Sequence, residues 1–288
     1  MRFGTALAVI AFEIACLGIV GLWFAVSQAR EPGRLALQAA AVAIAAWIAE
    51  DTCIHFYGVY AYDPSWGCFL DRVPVTVVCI WPAVILSDRA LLQALRPRRA
   101  SPFLVGALVL ADAALIEPVS VAASLWSWSE PGLFGVPPVA VFGWGLFGAL
   151  AAGVLELADR RGRAWLLLLP LAVPLGLHAG VCAAWWILLR WISLPVPGGP
   201  AAGVAWIVSS ALVVLVVARG VGRRVPLWLA LSRAPPGLLF LGLLAAHGRG
   251  RPDLVAWALA FTPPHLAILL GRRLPGRPET QDDPSSGA

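Results

Sequence analysis

Apolar runs of roughly 20 residues follow one another along almost the whole chain, and that is the length an α-helix needs to cross a bilayer. They lie near residues 4–28, 35–53, 73–92, 102–124, 134–157, 164–189, 201–219, 227–246 and 253–271. In hydrocarbon a helix satisfies its own backbone polar groups, so runs of this length predict an all-α, polytopic transmembrane bundle, with about eight or nine spans at this spacing. The eighth run is the weakest, because Ser232-Arg233-Ala234-Pro235-Pro236 interrupts it. Composition agrees: 60% of residues are hydrophobic and 13% charged, against about 25% charged in soluble domains. Residues 1–273 read as one integral membrane domain. The Pro/Ser/Asp-rich stretch 274–288 reads as a disordered tail.

The net charge of +5 does not point to nucleic acid, because the basic residues, all Arg, fall in short loops between spans. Arg89, Arg96, Arg98 and Arg99 follow the third span, Arg160, Arg161 and Arg163 the fifth, and Arg219, Arg223 and Arg224 the seventh. Such loops stay on the cytoplasmic side. The chain is then a multi-pass protein of the cell membrane with residues 54–72 and 125–133 outside, and its C-terminus, with Arg272, Arg273 and Arg277, inside. The N-terminal run could pass for a signal peptide, but its single Arg and the interrupting Glu13 favour a retained helix. Cys53 and Cys68 flank one outer loop and could pair, or remain spectator thiols like Cys16, Cys79 and Cys182. No Cys/His metal spacing, dinucleotide fingerprint or P-loop appears, so neither metal nor cofactor is expected.

Two segments repeat one another. The first contains Glu50-Asp51, Tyr57-Gly58, Tyr60, Tyr62, Trp66, Val73-Pro74 and Trp81; the second Glu117-Pro118, Trp126, Trp128, Gly135-Val136-Pro137 and Gly143-Trp144. In each, an acid precedes an aromatic-x-aromatic pair, a Val-Pro follows, and a Trp stands seven residues after the Pro. Two spans separate the segments, so the duplication is parallel, with units of about 35–92 and 102–157 in spans two to five. In an extended loop residues i and i+2 face the same way, which pairs Tyr60 with Tyr62 and Trp126 with Trp128.

Interfacial Trp and Tyr are common as an aromatic belt, but a belt needs no register, and these are in register with acids. Carboxylates are costly in hydrocarbon and mark function by default. Aromatic faces attract cations. The combination suggests a site that protonates an apolar substrate and shelters the carbocation. Candidate acids are Glu117, Glu50, Asp51 and Asp112. Adjacent acids point about 100° apart on a helix, so one of Glu50 and Asp51 faces the bundle. Pairing with Arg233 or Arg190 is the structural alternative for Glu117 and Asp112, and Glu13 is a candidate counter-charge for Arg233. His178 and His265, isolated in spans, read as satisfied core groups.

The strings YGVYAYDPSW…VPVTVVCIWPAVI and IEPVSVAASLWSWSEPGLFGVPPVAVFGW resemble the membrane carotenoid biosynthesis proteins, which include hydratases acting on the acyclic ends of lycopene-type carotenoids. The resemblance covers about residues 46–150. It departs in having Glu117 where the family usually has Asp before the Pro, and Val139-Ala140-Val141 where a polar Asn commonly follows the Val-Pro.

The resemblance implies a polyene substrate met in the bilayer, no cofactor, and contact with other enzymes of the carotenoid pathway. Glu117 would protonate the terminal double bond, and Glu50 or Asp51 would orient the water. Tyr60, Tyr62, Trp66, Trp81, Trp126, Trp128 and Trp144 would bind the polyene. A cyclase would use the same protonation without water, and a non-enzymatic polyene or lipid carrier would need no titrating acid.

Overall fold

The computed structural model describes residues 3–28, 33–95, 101–218 and 225–270. The C-terminal stretch 274–288 and Arg96, Arg98, Arg99, Arg219, Arg223, Arg224, Arg272, Arg273 and Arg277 lie outside them. In order, α1 (Phe3–Gln28) and α2 (Arg34–Tyr57) lead into the short strands β1 (Tyr60–Tyr62), β2 (Phe69–Leu70) and β3 (Val73–Pro74). Then come α3 (Val75–Leu95), α4 (Pro102–Ala122), β4 (Trp126–Trp128) and α5 (Pro138–Arg161). A 30-residue helix, α6 (Arg163–Ile192), opens as a 3₁₀ turn and carries a π turn over Trp185–Leu189. The chain continues with α7 (Gly198–Ala218), α8 (Leu227–His247), α9 (Pro252–Ala260) and α10 (Thr262–Leu270).

The fold is an all-α polytopic bundle. Seven of its described helices, α1 to α7, are long and apolar enough to cross a membrane. Outward faces of α6 and α7 carry Leu171, Leu175, Ile187, Ile207 and Val214, all well exposed, as a lipid-facing surface would. The expected ninth span, 253–271, is instead two helices of nine residues each. Pro263 and Pro264 have no N–H to donate to the preceding turn, so the helix breaks at Phe261. Each piece is about 14 Å long, less than half the hydrocarbon thickness.

Small residues bring α4 and α5 together. A Cβ on Gly106 would sit 2.6 Å from the Gly145 carbonyl oxygen, and one on Gly148 would sit 2.8 Å from Val109. Without a side chain at these positions the two backbones close on each other, the usual route to tight packing in lipid. Where α2, α3 and α5 meet at the opposite end from the strands, Asp159 accepts from both Arg34 and Arg89 and from Gln38 at 3.3 Å.

The duplication is written in the backbone. Gly58 (φ 60°) and Ser124 (φ 59°) each turn the chain in the left-handed region two residues before β1 and β4. Asp71 (φ 54°) and Phe134 (φ 55°) do so three residues before Pro74 and Pro137, after which α3 and α5 begin. The equivalent strands pair with each other, antiparallel, with Tyr60 opposite Trp128, Ala61 opposite Ser127 and Tyr62 opposite Trp126. A local two-fold axis therefore passes through the Ala61–Ser127 pair.

Glu13 does not meet Arg233. It accepts from the Gly67 N–H at 2.7 Å and from Thr76 Oγ1 at 3.0 Å, tying α1 to the loop before α3 and to the first turn of α3. A loop N–H left free by irregular backbone can hold a carboxylate as a charge would, and Arg233 is taken up by Asp88 and Asp112. All five cysteines are free, Cys53 and Cys68 included.

Candidate active site: two carboxylates on one aromatic cavity

Pro118 locks the last turn of α4, and Glu117 just before it is turned inward with 2% of its surface exposed. Its Oε2 accepts the indole N–H groups of Trp126 at 2.7 Å and Trp128 at 3.0 Å, and Oε1 accepts that of Trp144 at 2.8 Å. The two β4 donors are brought to one oxygen by the strand, which points residues i and i+2 to the same face. Trp144 comes from α5, seven residues after Pro137.

Glu50 is the counterpart in the first repeat. Its Oε2 accepts from the hydroxyls of Tyr60 and, at 3.0 Å, Tyr62, and Oε1 accepts the Trp81 indole N–H at 3.0 Å. Each acid thus collects three donors from its own repeat, two from the strand and one from the helix after the Val-Pro. The donors differ in kind: around Glu117 all are indole N–H, which can only donate, whereas a phenol can both donate and accept. Burial first, and the adjacent Glu50 carboxylate second, push the Tyr60 and Tyr62 phenols well above their ordinary range, so both stay protonated.

Across the two-fold axis the rings meet. Trp81 and Trp144 lie 4.5 Å apart by centroids, Tyr60 and Trp128 4.7 Å, and Tyr62 and Trp126 5.9 Å. Together with Trp66, whose N–H donates to the Leu125 carbonyl at 2.9 Å, they wall a cavity of about 140 Å³. Glu50 and Glu117 both open on it, and Phe12, Phe147, Phe240 and Leu177 close its apolar side. Phe147 had a signal in the sequence, one helical turn beyond Trp144. Phe12 and Phe240 had none, since only the packing of α1 and α8 brings them in.

Asp51 and Asp112 do not line this cavity. Asp51 sits on the other side of α2, accepting from the Arg72 N–H at 3.2 Å with His55 3.7 Å away. Asp112 binds Arg233 at 3.1 Å and faces His265 at 3.4 Å. His178 has both nitrogens engaged, by Thr52 at 2.8 Å and by Tyr57 at 2.7 Å. His55 also pairs with Asp71 at 2.7 Å, and among the described residues Asp51, His55 and Asp71 are the group spaced as metal ligands would be. They lie outside the cavity, and two of the three are exposed.

Fold and site define a polytopic helical membrane protein built by duplication around an aromatic cavity lined by two acids, Glu117 buried and Glu50 half-buried. The chain belongs to the carotenoid biosynthesis protein family, whose model matches residues 5–208. Searches of curated proteins and of solved structures each returned no match.

Proposed function

We propose that this protein is a cofactor-independent carotenoid hydratase of the cell membrane, adding water across the terminal double bond of an acyclic carotenoid. The observation that carries the proposal is the donor set of Glu117. A neutral carboxyl there can take two indole N–H bonds on its carbonyl oxygen and one on its hydroxyl oxygen, and these three side-chain partners among the described residues are N–H donors that cannot accept its proton. The acid proton is left facing an apolar cavity, which is where the end of a polyene would lie.

Transfer of that proton to the less substituted carbon of a terminal trisubstituted double bond leaves a tertiary cation on its neighbour. The three indole donors then hold the carboxylate, a preorganised arrangement that favours the charge-separated state. Stacked faces of Trp81, Trp144, Tyr60 and Trp128 surround the cation, each face contributing roughly 1–2 kcal/mol when desolvated. Water attacks the cation and gives a proton to Glu50, whose phenol partners can position that water. One proton passes from Glu117 to substrate and one from water to Glu50, so the carboxyls must exchange a proton between turnovers.

Expression in lycopene-producing cells, with mass spectrometry of the extracted pigments, tests the proposal. Hydration raises the pigment mass by one water. An isomeric product of unchanged mass would mean cyclisation, and pigment retained on the protein without any product would mean a carrier.

A further inference from the structure

A second polar centre lies where four helices meet, apart from the aromatic cavity, with Asp88 buried, Arg233 and Asp112 largely so, and His265 at its more exposed edge. Arg233 of α8 donates to Asp88 Oδ1 of α3, to Asp112 Oδ2 of α4 at 3.1 Å, and to Ser87 Oγ at 2.9 Å. His265 of α10 aims Nε2 at Asp112 Oδ1, 3.4 Å away, and its Nδ1 is 2.8 Å from the Phe261 carbonyl oxygen. Asp88 is fully buried, and its Oδ2 has no hydrogen-bond partner among the described residues.

Two arguments converge on this cluster. A carbonyl oxygen only accepts, so Nδ1 of His265 carries a hydrogen. In a neutral ring Nε2 would then present a bare lone pair to a carboxylate oxygen, acceptor against acceptor. The second argument is charge. Two carboxylates and one guanidinium leave one negative charge without a counterpart, which is expensive away from water. The described part of α7 has no ionisable side chain to supply it, and Asp253 of α9 is engaged with the Leu254 N–H at 2.9 Å.

A single proton on Nε2 removes both difficulties. The geometry points to a proton-binding site here: His265 and Asp112 hold one proton between them as an imidazolium–carboxylate pair, and Arg233 with Asp88 completes a neutral cluster. Arg233 and His265 both lie beyond residue 208, where the family match ends. The proton therefore balances the charges through which α8 and α10 dock on α3 and α4, the helices that carry Trp81 and Glu117. Its loss would leave one negative charge and two opposed acceptors at the α4–α10 contact. The assignment does not rest on the hydratase proposal.

The test is ¹⁵N NMR of the full chain in lipid bilayers at neutral pH, with its histidines labelled. A ring with both nitrogens protonated should be present that vanishes in His265→Gln and reverts to a neutral ring in Asp112→Asn. Should His265→Gln fail to fold, the same assignment follows by subtraction from His55→Gln, His178→Gln and His247→Gln. A neutral His265 ring in the wild-type protein would overturn the assignment and move the balancing proton to Asp88 Oδ2. An imidazolium that survives Asp112→Asn unchanged would overturn the pairing.

Discussion

Glu117 and Glu50 have the same neighbours in number but not in kind, and the difference makes their roles separable. Glu117→Gln keeps size and most hydrogen bonds yet cannot release a proton, so product formation should fall by roughly 10²–10⁴-fold, the usual worth of a general acid. The folded protein should accumulate normally, as measured by its yield in membranes beside pigment analysis. Glu117→Asp restores the residue the family usually carries but draws the carboxyl back by one methylene from donors now at 2.7–3.0 Å. Measurable but reduced turnover is the expected outcome. Trp128→Phe removes one of three N–H donors and keeps a ring face, so it should lose less than Trp128→Leu in the same assay. Near-normal turnover in Glu117→Gln would place the acid elsewhere.

The sequence left Glu50 and Asp51 as equal candidates because helical geometry separates adjacent side chains without saying which faces inward. The answer lies in what each meets: three side-chain donors for Glu50, a backbone N–H for Asp51. Asp112 was ambiguous for a similar reason, since Arg233 lies 121 residues away in the chain.

Among the elements, α4 shows how a helix accommodates an internal proline. Pro118 has no N–H, so the Ala114 carbonyl loses its helical partner, and the Trp257 indole N–H from α9 supplies another at 2.8 Å. Trp257→Phe should therefore destabilise the protein by about 1 kcal/mol, the net worth of a hydrogen bond, read as a lower thermal midpoint in detergent. Gly148→Leu should cost more, since it forces a side chain between α4 and α5 where Val109 already sits 2.8 Å from the position of a Cβ. Overpacking of that kind costs about 1–3 kcal/mol. The helices were legible from apolar run length alone, and so was the register of the repeat. The strand pairing was not, because three-residue strands are too short for alternation to stand out. Nor was the break at Phe261, because the apolar run resumes after Thr262-Pro263-Pro264-His265 and reads as one long stretch.

For the whole molecule, the Arg distribution predicts a direction across the membrane. A Cys replacing Ser127, exposed at the middle of β4, should be labelled from outside intact cells, and one replacing Ser101, before α4, should not. The reverse pattern would invert the molecule. Either way the two repeats present their strands on one side, because β1 and β4 are hydrogen-bonded to each other.

That pairing also bears on origin. Two equivalent strands joined about a two-fold axis are what a homodimer of half-length chains would make, each copy contributing one carboxylate and half the rings. Gene fusion would then have freed the halves to diverge, one keeping phenols around its acid and the other indoles. Cutting the chain between α3 and α4 should accordingly give two fragments that reassemble when co-expressed, since the ribbon, the Trp81–Trp144 stack and the Asp159 contacts cross the cut without a covalent link.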